Sequence, residues 1–304
     1  MKVLVTGGCG FIGSHLTEAL LARGDEVLVL DNEGADNDIF YKFDGARYFK
    51  ESVLDLPAVL NAMQGIEAVF HLAAESRIGP AVENPRKATE VNVMGTCNVL
   101  QAARDCGVKA LVYSSTSAAY GLKNSSPMHE EMLPDNLNAY STSKIAGEDL
   151  CMMFTKLYKL PTIALRYFNV FGERMPTRGQ YAPVLGIFLR QALANQPLTV
   201  VGDGLQRRDF VHVKDIVQAN LKAAAHTETC AGNIYNVGTG ANVTVLQLAE
   251  IFKRPVQHLP SRAGEARETL AVITKIKRDL GFAPTVEVLD WMRAEVSARL
   301  NLGA

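Results

Sequence analysis

The stretch YSTSK places Tyr140 and Lys144 four residues apart. At helical spacing both side chains project from one face. A free tyrosine, with a pKa of about 10, is a poor base at neutral pH. A neighbouring ammonium, joined by a positively charged cofactor, favours the phenolate and lowers that pKa. Such a group can take a proton from a hydroxyl while the carbon gives up a hydride. Near the chain start, TGGCGFIG carries Gly7, Gly8, Gly10 and Gly13. The run satisfies both Gly7-x-x-Gly10-x-x-Gly13 and Gly8-x-Gly10-x-x-Gly13. Glycines there let the backbone turn tightly and approach a pyrophosphate seated on the next helix's N-terminus. Asp31 follows Gly13 by 18 residues and closes a second apolar run. Its carboxylate accepts ribose hydroxyls and repels a 2′-phosphate, so NAD is expected over NADP. Asp55 either receives the adenine amino group or is a solvated loop acid.

These residues need elements to hold them. KVLVT (2–6) reads as a buried parallel strand, SHLTEALLARG (14–24) as a helix closed by Gly24, and EVLVLD (26–31) as a second strand. The pattern repeats. A strand and loop lie in 46–55, a proline-opened helix in 57–63, and a strand in 68–74. A long helix spans 88–107, a strand 109–116, a second long helix 139–160, and a sixth strand 162–168. Alternating strands and helices predict an α/β fold, a Rossmann-type doubly wound parallel sheet with its crevice beyond the strands' C-terminal ends. After about residue 170 prolines and glycines crowd the chain, and the last helix falls around 285–300. The expected division is an NAD-binding domain over 1–170, rejoined by part of 205–240, and a smaller, partly interleaved C-terminal substrate lobe over 171–304. DNEGADNDIFYKFDG (31–45) reads as an exposed loop.

The 304 residues suffice for one large domain, or one with a smaller lobe. A net charge of −1 gives no global field for nucleic acid or acidic lipid, so neither is an expected partner. Five cysteines, without CxxC or Cys/His spacing, read as reduced thiols of a cytoplasmic protein with no metal site. No apolar run is long enough for a membrane span, and the N-terminus lacks the form of a signal peptide.

Together, TGGCGFIGSHL, Asp31, Asp55, HLAA (71–74), Asn92, SST…AYG (114–121), YSTSK, RYFNVFG (166–172), GDGLQRRDFVHVKD (202–215) and SRAGE (261–265) resemble the extended short-chain dehydrogenase/reductase family, in its NAD-dependent sugar-nucleotide epimerase/dehydratase branch. The resemblance covers almost the whole chain. It implies Tyr140 as catalytic base, Lys144 as the group that lowers its pKa and holds the nicotinamide ribose, and Thr116 as the hydroxyl bonded to the reacting sugar oxygen. It implies an NAD site formed by Gly7, Gly10, Phe11, Ile12, Gly13, Asp31, Asn32, Asp55, Leu56, Leu72, Ala73, Ala74, Asn92, Ser114, Tyr140, Lys144 and Tyr167. Asn169, Arg208, Arg262 and Glu265 match positions that hold a nucleoside diphosphate, and guanidinium groups suit a bidentate grip on phosphate. Thr269 matches a position gating room beside the sugar's C2 group, where a small side chain admits an N-acetyl substituent. Arg207 reads as a surface charge. Relatives of this kind form homodimers through the two long helices.

Three reactions begin by oxidising the sugar at C4. A 4-epimerase returns the hydride to the other face. A 4,6-dehydratase also needs a proton donor for the leaving hydroxyl and a base for C5. In the dehydratase pattern an Asp–Glu pair follows the Thr; here Ser117 and Ala118 follow it. A decarboxylase needs a pocket for a carboxylated sugar. Against epimerisation, AAESR (73–77) resembles the dehydratase loop. Arg77 either binds substrate or pairs with Glu75 or another acid. The reading is a 4-epimerase of a UDP-glucose/UDP-galactose type substrate. A nucleotide-sugar 4,6-dehydratase or other oxidoreductase is the alternative, and a non-catalytic NAD-binding protein the remote one.

Overall fold

Alternate residues of the apolar runs face opposite sides of one sheet, and that alternation builds two cores. In the computed structural model, which describes residues 1–34, 40–178, 182–261 and 266–300, the chain runs β1 (Lys2–Thr6), α1 (Phe11–Ala22), β2 (Glu26–Leu30), β3 (Arg47–Phe49), α2 (Leu56–Ala62), β4 (Ala68–His71), α3 (Ile78–Glu83), α4 (Pro85–Thr89), α5 (Gly95–Asp105), β5 (Ala110–Thr116), α6 (Ala139–Tyr158) and β6 (Thr162–Tyr167). The parallel order is β3-β2-β1-β4-β5-β6, extended beyond β6 by Asn233–Val237. Strand order reverses between β1 and β4, which opens the ligand crevice of a Rossmann-type sheet. Val3, Val5, Phe70, Val112 and Leu165 pack on α1 and on helix Val213–Ala225. Leu4, Val69, Leu111 and Ala164 pack on α2, α5 and α6 through Val59, Leu100 and Phe154. A third core, with Phe171, Leu185, Phe188, Phe210, Phe252 and Met292, lies in the later chain.

Several boundaries differ from the sequence expectation, and three of the differences bear on the site. Helix α1 starts at Phe11, not 14, because Gly10 already serves as its N-cap. Strand β4 stops at His71, not 74, where the next amides turn to other partners and Ala73 N donates to Thr6 Oγ1 at 3.2 Å. The helix expected over 88–107 is not continuous. It is α4, a π-helical turn over Glu90–Met94, and α5. Thr96 Oγ1 donates to the Asn92 carbonyl at 2.6 Å, offering that oxygen a partner outside the backbone ladder. Such a bulge re-aims a side chain, and the side chain it carries is Asn92. The last helix is Val288–Leu300. No helix of the described residues is long and apolar enough to cross a membrane.

Candidate active site

The glycine loop is shaped by its own packing. Gly7 has φ +72, and a Cβ there would lie 2.8 Å from Ala73 N; a Cβ on Gly13 would lie 2.1 Å from Gly7 O. Neither position admits a side chain. Gly10 differs: a Cβ there would meet only Gly7 O, at 3.5 Å. The bare backbone at Gly10 leaves open space for a ligand. No side chain caps the N-terminus of α1, so its first amides and the positive end of its dipole are available to an anion. Phe11 and Ile12 form that first turn, packed against the third and first cores respectively.

Asp31 is placed by the same loop. It accepts from Cys9 N at 2.9 Å and Glu33 N at 2.8 Å, one bond to each oxygen, and each oxygen retains capacity for a diol. Asn32 accepts from Gly34 N at 3.0 Å. Burial, then the Asp31 charge, pushes the Cys9 thiol up to about 12, which makes it a poor nucleophile. Asp55 is exposed and caps α2 through Ala58 N at 3.0 Å, immediately before Leu56. Leu72, Ala73 and Ala74 leave β4 toward the crevice. Asn92 clamps the segment beyond them: it accepts from Glu75 N at 2.8 Å, and donates to Glu75 O at 3.1 Å and to Ser143 Oγ at 2.9 Å. His71 is fully buried between Thr6 and Thr96 hydroxyls, and desolvation drops its pKa to about 3. It is a neutral core residue.

Tyr140 sits in the first turn of α6, where an Asn138–Ser141 capping box sets the register of the helix. Its hydroxyl meets the side chain of Thr116 at the end of β5. Burial raises the tyrosine pKa, and the Thr116 hydrogen bond works the other way. Lys144, expected to act on the tyrosine, donates to the Ser114 carbonyl at 2.8 Å. Burial lowers its pKa to about 8, opposed by Cys151 and Glu148. Tyr167 is buried with its hydroxyl between Ser114 Oγ at 2.9 Å and Asn220 Nδ2 at 2.7 Å, and its pKa is pushed up to about 12 by burial. The structure therefore brings Thr116, Tyr140, Lys144, Ser114 and Tyr167 together at the C-terminal ends of β5 and β6.

Across the crevice, Asn169 donates to Asp209 O at 2.9 Å and to Thr269 Oγ1 at 3.4 Å. Arg208 donates to Arg207 O at 2.9 Å and Arg267 O at 3.4 Å. These residues meet although up to 100 positions separate Asn169 from Thr269. Arg262 and Glu265 lie outside the described residues. A pocket of about 380 Å³ is lined by Val201, Gly202, Asp203, Gln206, Leu259, Pro260, Ser261, Ala266 and Arg267. Arg207, expected as a surface charge, is half-buried and bonds Asn242 through Nε at 2.7 Å and Nη2 at 2.9 Å. Arg77 is the N-cap of α3, and Glu75 pairs with Lys87 at 2.7 Å. Sequence reasoning missed Asp209. Fully buried, it accepts from Thr239 N and Oγ1, Gly240 N and Ala271 N, at 2.8–3.1 Å. A carboxylate set directly against the apolar residues Phe210 and Val211 in RRDFVHV was its signal.

A crevice at a sheet's switch point, glycine-lined at one end and carrying a Tyr–Thr–Lys cluster, defines a dinucleotide-binding protein equipped for proton transfer. The NAD dependent epimerase/dehydratase family model matches residues 3–238, and the chain belongs to that family. UDP-glucose 4-epimerase of Thermotoga maritima, solved with UDP-glucose, is 32% identical, with a TM-score of 0.92 and full coverage of both chains. UDP-glucose 4-epimerase of Thermus thermophilus, in complex with NAD, is 34% identical with a TM-score of 0.88, again over both whole chains. A UDP-N-acetyl-alpha-D-glucosaminuronate decarboxylase of Bacillus cytotoxicus is 32% identical over 96% of this chain and 98% of its own.

Proposed function

We propose that the protein is an NAD-dependent 4-epimerase of a nucleotide sugar, of the UDP-glucose/UDP-galactose type. NAD, when bound, supplies a reversible hydride acceptor for the sugar's C4. The glycine loop and the first amides of α1 would hold its pyrophosphate, Asp31 its adenosine ribose, and Lys144 its second ribose. Tyr140 takes the C4 hydroxyl proton and later returns it; Thr116 orients the sugar oxygen. Asn169, Arg208, Arg262 and Glu265 grip the nucleoside diphosphate, with the pocket of about 380 Å³ for its nucleoside end. Thr269, beside Asn169, leaves room for an N-acetyl group.

The observation that carries this reading is the turn after Thr116. Residues Ser117–Tyr120 form a short 3-10 helix with no acid in it. Acids of the surrounding elements are engaged: Glu148 by Arg166 and Ser115, Asp135 by the Leu122 and Lys123 amides, Glu130 by the Asn236 amide, and Glu75 by Lys87. Elimination of water needs an acid free to protonate the leaving hydroxyl. The AAESR loop does not supply one.

The test is incubation of the full chain and NAD with UDP-glucose, UDP-N-acetylglucosamine and UDP-glucuronate, with products followed by NMR. A C4 epimer is expected. A 4-keto-6-deoxy sugar, or loss of the carboxyl carbon from the uronate as the only reaction, would overturn the proposal. We also propose a cytoplasmic homodimer. Met94, Met153, Leu157 and Tyr158 leave 55%, 38%, 64% and 42% of their surface exposed across the π turn and α6, an apolar face suited to a second copy. Sedimentation should give twice the chain mass, and Leu157→Asp should reduce it to one.

A further inference from the structure

Beneath the catalytic cluster lies a charge pair for which the proposed chemistry has no use. Glu148 and Arg166 are 1% and 3% exposed. They share two hydrogen bonds, Nε to Oε1 at 2.9 Å and Nη2 to Oε2 at 2.7 Å. Ser115 Oγ adds a third bond to the same carboxylate. The guanidinium lies 4.9 Å from the centre of the Tyr120 ring, whose hydroxyl donates to Asn236 Oδ1 at 2.6 Å. A buried ion pair is a poor source of stability, because desolvation offsets the attraction and apolar residues of similar volume serve as well. Its location is the informative part. Ser115 immediately precedes Thr116. Arg166 immediately precedes Tyr167, which bonds Ser114, whose carbonyl holds Lys144. Glu148 follows Lys144 by one helical turn and Tyr140 by two, on the same face of α6.

We propose that the Glu148–Arg166 pair, with Ser115, is the positioning device of the catalytic centre, locking α6 to β5 and β6 in the register that brings Tyr140 to Thr116 and Lys144 to the Ser114 carbonyl. The proposal rests on the reading of those three residues as the catalytic groups. Neither Glu148 nor Arg166 touches substrate; each acts through its neighbours. The carboxylate has a second consequence. Facing Lys144 are Glu148 and Cys151 on α6, the Tyr113 ring on β5 at 4.9 Å and neutral His71 on β4; Arg166 on β6 is paired with Glu148. Glu148 is the carboxylate that opposes the effect of burial on Lys144. Without its charge Lys144 gives up its proton at lower pH.

Glu148→Gln and Ser115→Ala, in the full chain, separate positioning from folding. Four quantities are measured: kcat and KM with NAD, the thermal midpoint, and the Lys144 titration by lysine NMR in the chain alone. Glu148→Gln is expected to lose about 10–100-fold in kcat, the scale of a small misplacement of reacting groups, with KM unchanged. Its Lys144 should titrate at lower pH than in the wild type, where burial already holds it down. Ser115→Ala should lose less kcat and leave that titration in place. A folded Glu148→Gln chain with wild-type kcat and wild-type Lys144 titration overturns the proposal. If Glu148→Gln does not fold, Ser115→Ala decides: lowered kcat supports the proposal and wild-type kcat overturns it. A wild-type chain with no turnover sinks the epimerase reading instead, and the Lys144 titration still tests the pair.

Discussion

Tyr140→Phe lowers turnover by about 10²–10⁴-fold, the usual worth of a positioned acid–base group, and leaves NAD bound. The ring stays, so the packing at the start of α6 stays. What is lost is one hydroxyl, and the partner it loses is Thr116. Most of the groups assigned to NAD are untouched by the change: the Gly7–Gly13 loop, Asp31, and a lysine anchored on Ser114 O. Steady-state kcat beside equilibrium dialysis of NAD checks the split, and unchanged turnover refutes the assignment. The pH profile adds a sign. In the chain alone burial holds Tyr140 above its ordinary value and Lys144 down at about 8. A base works deprotonated, so its limb rises with pH; Lys144 works protonated, so its limb falls as pH passes its pKa. The two windows overlap only when bound positive charge draws the tyrosine down. The rising limb should therefore be present in the loaded wild type and missing from the residual rate of Tyr140→Phe.

The sheet was legible because its apolar runs are short and alternate with stretches of helical spacing. KVLVT, EVLVLD and AVFH admit few structures other than buried parallel strands. Tyr140, Lys144 and the glycines were legible because their spacing is itself the chemistry. What escaped were contacts between distant residues. The π turn at Glu90–Met94 has no period of its own to read; from it Asn92 bonds Glu75 and Ser143, residues far along the chain. Arg207 looks like any surface charge until Asn242 comes beside it. The Glu148–Arg166 pair was nearer to hand. TIALRYF sets an arginine inside a buried strand, and a charge there demands a partner. Its signal was present, but the identity of the partner required the fold.

The nucleotide end yields the other large effect, and two glycines separate fold from ligand. Gly13→Ala puts a methyl 2.1 Å from Gly7 O and 2.8 Å from Gly8 Cα, backbone atoms with no flexible end to swing away. The loop must open. It carries Cys9 N, which Asp31 accepts, and it sets the first turn of α1. Overpacking of this kind costs about 1–3 kcal/mol, so both the thermal midpoint and NAD affinity should fall, the latter by about 10–100-fold. Gly10→Ala behaves differently. Its methyl meets only Gly7 O at 3.5 Å, an ordinary contact. The thermal midpoint should hold while NAD affinity falls, because the methyl stands where the pyrophosphate approaches. Calorimetry and NAD titration on both variants decide the matter. A Gly13→Ala chain with an unchanged midpoint would show that the loop is not closed by backbone contact. A Gly10→Ala chain that binds NAD as before would place the pyrophosphate elsewhere.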